Sequence, residues 1–338
     1  DQNFFSDTRM CMQAADGAVT VIDAIDGIKV QSEQAWEYAD EFDLPRILFI
    51  NKVDRERADF HKVFNDAVEI FSPKPILLQL PIGQESDFQG VVDLVNMKAY
   101  TYESGKAKAI DIPADMQETV ENERETLIEN IAEADDALVE KYLEGETLSD
   151  EEIISALRKG TLEKVFVPVL CGSATSNIGI DLVAGLMTDT LPALADRGPK
   201  TGYLPGTDTE ETREPSPDAP FSALVFKTIA DPYAGRLTLF KVFSGKMGPD
   251  GTFYNSAKQT KERYNQLLQV HGKEQKTIDG AYPGDILAVA KLKETFTGDT
   301  LCDPDKPIVY ESAKPLHGLV SFAIAPKSKG DEDKIYSS

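Results

Sequence analysis

The chain has 338 residues and a formal net charge of −23 at pH 7. This length predicts two or three domains, and such an acidic protein is repelled by bulk nucleic acid, which argues against nonspecific nucleic-acid binding. Three widely spaced cysteines and the absence of any apolar stretch of roughly 20 residues predict a cytoplasmic protein with no disulfide framework and no membrane partner.

The first part of the chain alternates apolar strands with helices. Strands are predicted at residues 18–23, 44–50 and 165–170, and helices at residues 29–42 and 60–71. Continuous apolar runs are typical of strands that are covered on both faces, and the alternation is typical of parallel sheets. We therefore predict an α/β domain with a doubly wound sheet.

The motif Asn51-Lys52-Val53-Asp54 directly follows the second strand. Ligands of open α/β sheets bind at this edge, where the carboxyl ends of the strands meet. The Asp54 carboxylate can accept hydrogen bonds from both N1–H and the exocyclic amino group of guanine, whereas adenine offers no such pair. A buried carboxylate left unpaired costs a few kcal/mol, which corresponds to roughly hundredfold discrimination. The motif predicts a guanine-recognition loop in which Asn51 orients the loop and the Lys52 stem covers the base, although Asn-Lys-x-Asp also occurs in ordinary turns.

A second loop supports this interpretation. The strand at residues 165–170 runs into Cys171-Gly172-Ser173-Ala174. We expect the backbone N–H of Ala174 to donate to guanine O6, and the small side chains of Ser173 and Ala174 to let the base approach closely. Two such loops, each after a buried strand, predict one guanine pocket.

The two loops are separated by an acidic insertion. Asp54 and Ser173 are 119 residues apart, and within residues 111–152 there are 16 acidic residues and 2 basic ones. Short strands are predicted at residues 76–80 and 90–95. Two signals predict further helices: apolar spacing from Met116 to Tyr142, and a capping box of Ser149 with Glu152. These patterns predict an α+β subdomain whose carboxylates lie on a solvated helical face.

The C-terminal part of the chain changes character. Residues 196–219 are rich in Pro, Gly, Thr and Glu, which predicts an irregular linker. Beyond them, apolar residues alternate with polar ones, and strands are predicted at residues 221–229, 237–243, 264–270 and 286–292. Turn signals separate these strands, so we predict a small closed β-barrel. It contains no evident pairing of nucleophile and base.

Two C-terminal strings resemble a known family. PFSALVFKTIADPYAGRLTLFKVFSG (residues 220–245) and TGDTLCD (residues 297–303) resemble the second domain of bacterial elongation factor G. The opening NFFSDTRMCMQAADGAVTVIDAIDGIKVQSEQ resembles the segment that follows the Asp-x-x-Gly switch of the same factors. NKVD and CGSA fall where the family has its guanine loops, so the resemblance covers essentially the whole chain.

The resemblance implies a domain organisation. It implies a truncated GTPase domain of the P-loop-NTPase type that is interrupted by the inserted subdomain, then a β-barrel domain and the start of an α+β third domain. The expected boundaries are residues 1–71 and 163–195 for the GTPase domain, 72–162 for the insertion, 196–219 for the linker, 220–308 for the barrel and 309–338 for the third domain.

The resemblance also implies ligands and partners. The family hydrolyses GTP with Mg²⁺ during ribosomal translocation, so GTP or GDP is the expected ligand. The protein is expected to be a monomer, and its expected partners are ribosomal RNA and the stalk protein. The stalk protein would meet the inserted subdomain. The residues assigned to the nucleotide are Asn51, Lys52, Asp54, Ser173 and Ala174. No catalytic residue is assigned. No metal ligand is assigned either, since the three histidines lie in three separate regions.

This sequence departs from the family in two respects. It contains no G-x-x-x-x-G-K-[ST] motif, so we expect a fragment that does not itself hydrolyse GTP while its parent protein is the enzyme. In the family a histidine follows the switch glycine and helps to position the attacking water, and Asp1 stands at that place. A paralogue with altered hydrolysis and a remnant of cloning both account for Asp1.

Related functions remain open. Class-three peptide release factors and tetracycline-resistance ribosomal protection proteins share the fold, but their barrel sequences fit less well. A ribosome-docking module that binds no nucleotide is the alternative from another class. The cluster of Lys258, Lys261, Arg263 and Tyr264 suits contact with ribosomal RNA, although barrel surfaces commonly carry such clusters. The sequence does not distinguish whether the parent protein acts in translocation, in ribosome recycling or in the regulation of either.

Overall fold

The computed structural model describes residues 4–231, 235–313, 322–326 and 328. The helices are α1 (Phe5–Met12), α2 (Val30–Glu41), α3 (Phe60–Ile70), α4 (Gln117–Ala132), α5 (Asp136–Leu143), α6 (Asp150–Leu162) and α7 (Ile180–Thr190). The first ten strands are β1 (Ala18–Asp23), β2 (Arg46–Asn51), β3 (Lys74–Leu77), β4 (Gln79–Ile82), β5 (Gly90–Asp93), β6 (Lys98–Glu103), β7 (Lys106–Ile110), β8 (Phe166–Cys171), β9 (Lys200–Tyr203) and β10 (Glu210–Arg213). The remaining strands are β11 (Ser222–Asp231), β12 (Gly235–Ser244), β13 (Gly251–Asn255), β14 (Thr260–Tyr264), β15 (Leu267–His271), β16 (Glu274–Ile278), β17 (Ile286–Ala290) and β18 (Thr300–Cys302).

A parallel sheet with the strand order β1-β2-β8-β3 forms the first domain. Successive side chains of a strand point to opposite faces, and β2 shows this directly. Leu48 and Ile50 pack in the hydrophobic cluster that includes side chains of α2 and α3. Ile47 and Phe49 pack on the other face, with Val183 of α7. Helices therefore cover both faces, which confirms the predicted doubly wound α/β domain.

The chain passes from this sheet into a second one at Leu78. The second sheet is antiparallel, with the order β4-β5-β6-β7. The single strand predicted at residues 76–80 is wrong, because β3 pairs with β8 in the parallel sheet whereas β4 pairs with β5. Leu78 joins them, since its N–H donates to the Val169 carbonyl at 3.0 Å and its own carbonyl accepts from the Leu94 N–H at 2.9 Å.

The acidic segment folds into α4, α5 and α6. The continuous apolar spacing from Met116 to Tyr142 predicted one helix, but the structure has two, because Asp135 caps α5 by accepting a hydrogen bond from the Ala137 N–H at 3.1 Å. The helix predicted to begin at Ser149 is confirmed. Its capping box is complete: the Glu152 N–H donates to Ser149 Oγ, and the Ser149 N–H donates to the Glu152 carboxylate.

Residues 196–219 are more regular than predicted. A short 3-10 helix, Leu194–Arg197, leads into the antiparallel hairpin β9–β10. Tyr203 of β9 exchanges two backbone hydrogen bonds of 2.8 Å with Val309. The hairpin is thus held by backbone pairing to a distant segment, which its polar composition did not indicate. The prediction of an irregular linker is wrong for this part.

The second domain is an eight-stranded antiparallel sheet with the order β14-β13-β18-β11-β12-β17-β15-β16. The strands predicted at residues 221–229, 237–243 and 286–292 correspond to β11, β12 and β17. The strand predicted at residues 264–270 is two strands, β14 and β15, that lie far apart in the sheet order. Because only two residues join them, the sheet curls back on itself around a hydrophobic core that includes Phe240 and Phe253.

Several expectations end at the limits of the described chain. Asp1 and most of the segment predicted to begin a third domain lie outside the described residues.

Tyr264, which we grouped with surface cations, is only 5% exposed and stacks on Phe253, so it belongs to the core. In the described part of the chain, no helix is long and apolar enough to cross a membrane.

Candidate functional site

The carboxyl ends of β1, β2 and β8 meet at one edge of the parallel sheet. Asp23, the last residue of β1, pairs in register with Asn51, the last residue of β2. Ile50 of β2 pairs with Cys171, the last residue of β8. This register brings the loop at residues 51–54 beside the loop at residues 171–174, although the whole insertion separates them in the sequence.

Hydrogen bonds tie the two loops together. The Gly172 N–H donates to the Ile50 carbonyl at 3.0 Å, and the Val53 N–H donates to the Gly172 carbonyl at 3.2 Å. The side-chain oxygen of Asn51 accepts from the Ala174 N–H at 2.9 Å and from the Lys52 N–H at 2.8 Å. In this structure the Ala174 N–H therefore donates to Asn51, and its donation to guanine O6 stays a prediction.

Asp54 has two differently placed carboxylate oxygens. Oδ2 accepts a hydrogen bond of 2.8 Å from the Ser176 hydroxyl. Oδ1 is buried and has no hydrogen-bond partner among the described residues. Leaving a buried acceptor unpaired is costly, and such atoms call for an explanation. A ligand with N–H donors along one edge would explain the unpaired oxygen, because it could donate a hydrogen bond to Oδ1. Guanine has such an edge.

The second loop is closed tightly. Ser173 and Ile178 exchange two backbone hydrogen bonds of 3.0 and 2.9 Å, and Ser173 is completely buried. A Cβ atom at Gly172 would stand 2.2 Å from the Ile178 carbonyl oxygen, so only glycine fits there. Sequence reasoning missed Ser176, and its only signal was a hydroxyl residue shortly after the CGSA motif.

Lys52 turns toward β1. Its φ is +65°, an uncommon value for a residue other than glycine, and its ammonium forms an ion pair with Asp23. The hydrogen bond to Asp23 raises the pKa of Lys52. Burial tends to raise the pKa of Asp23, but hydrogen bonds from Lys52 and from backbone N–H groups outweigh it, and the pKa is lowered. The pair is therefore charged at neutral pH, and sequence reasoning missed Asp23.

Cys171 also lies at this edge, completely buried. Burial raises the pKa of its thiol, so the thiol stays protonated at neutral pH. It serves as a small apolar residue under the loops. The described residues contain no group of three or more His, Cys, Asp or Glu side chains that could hold a metal ion.

Two family models match this chain. Residues 1–193 match the elongation factor Tu GTP binding domain, which is more than half of the chain. Residues 220–304 match elongation factor G domain 2. The chain belongs to the translational GTPases of the elongation factor G type. The order of an α/β domain and a β-rich domain in this translational GTPase agrees with the order of the two matches.

A solved structure resembles the same two domains. It is the crystal structure of a protein from Thermus thermophilus, and it superposes on this translational GTPase with a TM-score of 0.81 at 27% sequence identity. The match covers 100% of this chain and 48% of that one. The chain thus spans about half the length of the solved structure that it matches.

Proposed function

We propose that the loops at residues 51–54 and 173–178 bind the base of GTP or GDP. The observation that supports this proposal is the buried Oδ1 of Asp54, which has no hydrogen-bond partner in the described part of the chain, beside an Oδ2 that accepts from Ser176. A carboxylate fixed in this way accepts the N1–H and the amino group of guanine as a pair. Adenine lacks that pair of donors, so the same contact provides selectivity.

The remaining assigned residues support this pocket. The Asn51 oxygen joins the two loops, and the small side chains of Ser173 and Ala174 would let the base approach closely. The Lys52 stem would lie along the base while its ammonium stays paired with Asp23. Neither phosphate ligands nor ligands for Mg²⁺ are assigned in these 338 residues, so we derive no hydrolytic step from them.

We further propose that the whole protein acts on the ribosome as a cytoplasmic, monomeric GTPase of the elongation step. Membership in the family of translational GTPases supports this proposal, and the match to elongation factor G domain 2 favours translocation. Lys258, Lys261 and Arg263 are exposed on the β-rich domain and suit contact with the phosphates of ribosomal RNA. The acidic helices of the inserted subdomain would meet the stalk protein.

Calorimetric titration with GDP tests the nucleotide site. It is run on the 338-residue chain and on the product of the complete gene, with ADP as the matched control ligand. We expect GDP to bind the gene product at least about a hundredfold more tightly than ADP, the factor that an unpaired buried carboxylate implies. Equal affinity for GDP and ADP would contradict guanine recognition. Absence of any binding to either protein would favour a docking module that binds no nucleotide.

A further inference from the structure

A hairpin of the inserted subdomain touches the second loop of the candidate site. The tip between β6 and β7 places the Gly105 carbonyl 2.9 Å from Asn177 Nδ2, which donates a hydrogen bond to it. A Cβ atom at Gly105 would stand 3.0 Å from that nitrogen and 3.1 Å from the Asn177 Cβ. The φ angles of Gly105 and Asn177 are +76° and +54°, so both turns have the left-handed backbone that brings them together.

A second contact lies just beyond the loop. The Tyr102 hydroxyl, on β6, donates a hydrogen bond of 2.6 Å to the Asp181 carboxylate in the first turn of α7. Burial and the hydrogen bond to Asp181 raise the pKa of Tyr102, so the hydroxyl stays protonated and remains a donor. The hairpin thus forms one hydrogen bond to the loop, at Asn177, and another to Asp181 in the first turn of α7, just beyond the loop.

The other side of the same loop holds the base motif. Ser176, next to Asn177, donates to Asp54 Oδ2 at 2.8 Å, and the Ala174 N–H donates to Asn51. The loop is closed on itself by the two backbone hydrogen bonds between Ser173 and Ile178. The short loop at residues 173–178 is therefore all that separates the hairpin of the insertion from the Asp54 carboxylate.

We propose that Asn177 and Tyr102 are positioning residues through which the β6–β7 hairpin holds the loop at residues 173–178 in the geometry that aims Asp54 at guanine. The proposal rests on the proposed function, because it assigns the loop to the base. It also gives the inserted subdomain a role in the nucleotide site of the domain that it interrupts.

The first test needs no nucleotide. Hydrogen–deuterium exchange is measured on the full chain in Asn177→Gly, which keeps the left-handed backbone but removes the amide, and in Tyr102→Phe. The control is Glu103→Gln, which removes an exposed ion pair of 3.7 Å with Lys108 on the same hairpin. We expect exchange at residues 173–178 to be about three- to tenfold faster in both variants, the factor for one ordinary hydrogen bond. Exchange that is unchanged, or that rises equally in the control, would overturn the proposal.

The second test separates positioning from general stability. IDP lacks the exocyclic amino group of guanine. The ratio of the dissociation constants for IDP and GDP therefore measures how strongly the protein binds that amino group, which depends on the position of the Asp54 carboxylate. In the complete gene product, we expect Asn177→Gly and Tyr102→Phe to reduce this ratio about threefold or more, whereas Glu103→Gln leaves it unchanged. A ratio that stays constant with tight GDP binding overturns the inference alone. Failure of the unmutated protein to bind GDP overturns the proposed function, and the exchange experiment still decides whether the hairpin positions the loop.

Discussion

At the scale of single residues, the candidate site depends on the unequal surroundings of the two Asp54 oxygens. Ser176 occupies one of them, and the other is buried without a partner among the described residues. This arrangement suits a ligand with two adjacent N–H donors. A change in hydrogen-bonding pattern at this one side chain should therefore change which base is accepted, without altering the rest of the pocket.

We predict that Asp54→Asn exchanges guanine selectivity for xanthine selectivity. Xanthine carries a carbonyl in place of the amino group of guanine, and the Asn amide can donate to that carbonyl while accepting from N1–H. We expect XDP to bind the variant at least about tenfold more tightly than GDP, measured by calorimetry on the complete gene product. The exposed neighbour Glu56 supplies the control, Glu56→Gln. If both variants prefer GDP, Asp54 does not contact the base.

The residues of the site were only partly predictable from the sequence. Asn51 and Asp54 belong to a motif directly after an apolar strand, so their position at the sheet edge followed from the strand prediction. Ser176 and Asp23 contribute through contacts across 122 and 29 residues of chain, and no local pattern marks them. Their roles depend on strand register, which hydrophobic periodicity does not specify between strands.

At the scale of elements, the local capping signal was reliable, whereas apolar spacing missed the break between α4 and α5 and the sequence did not indicate elements that depend on tertiary pairing. The capping box at Ser149 is a local hydrogen-bond pattern, and α6 begins where it predicts. The division at Leu78 depends instead on backbone hydrogen bonds to β8 and to Leu94, far away in the chain. The hairpin β9–β10 is likewise stabilised by pairing with Val309, so its polar sequence alone indicated a linker.

The capping box predicts a pH dependence. Hydrogen bonds from Lys141 and from Ser149 lower the pKa of Glu152 to about 2, from an ordinary value of 4.5. A carboxyl group with a lowered pKa stabilises the folded state fully above its unfolded pKa, and this contribution is lost as the pH falls toward the folded pKa. We expect Glu152→Ala to lower the thermal midpoint at neutral pH, and this difference from the unmutated chain to shrink between about pH 4.5 and about pH 2.

Thermal unfolding followed by circular dichroism at a series of pH values measures this difference. Glu151→Ala is the matched control, because Glu151 is an acidic residue of the same first helical turn. A midpoint difference for Glu152→Ala that keeps its full size at about pH 2, or that matches the control throughout, would show that the carboxylate does not stabilise this helix start.

At the scale of the whole molecule, the insertion and the parallel sheet share one hydrophobic cluster, which includes Ile50 of β2, Val91 of β5 and Leu127 of α4. The β-rich domain is attached by apolar and polar contacts: Leu194 packs on the cluster that includes Leu224 and Phe243, and two ion pairs lie beside it. Lys227 forms an ion pair of 3.1 Å with Asp7 of α1, and just after the β-rich domain the Ala313 N–H donates to the Gln13 side chain at 3.1 Å.

Lys241 is the buried member of this second interface. Its side chain is 2% exposed on β12, and it forms an ion pair with Asp16, which precedes β1 and is 25% exposed. Burial lowers the pKa of Lys241, while the hydrogen bond to Asp16 opposes the shift. A cavity of about 680 Å³ beside the pair is lined by both domains. The charge of Lys241 is thus compensated by a residue of the other domain.

We predict that Asp16→Asn destabilises the chain by about 3 kcal/mol, because it leaves a buried ammonium without its counter-charge. Adding Lys241→Met should restore most of the loss, since it removes that charge and fills the same space. Urea unfolding followed by the fluorescence of Trp36, the single tryptophan, reports the effect from the α/β domain. Asp26→Asn is the control, because it breaks an exposed pair with Lys29 and should cost less than about 1 kcal/mol. Equal unfolding midpoints for Asp16→Asn and the control would mean that the β-rich domain does not stabilise the α/β domain through this pair.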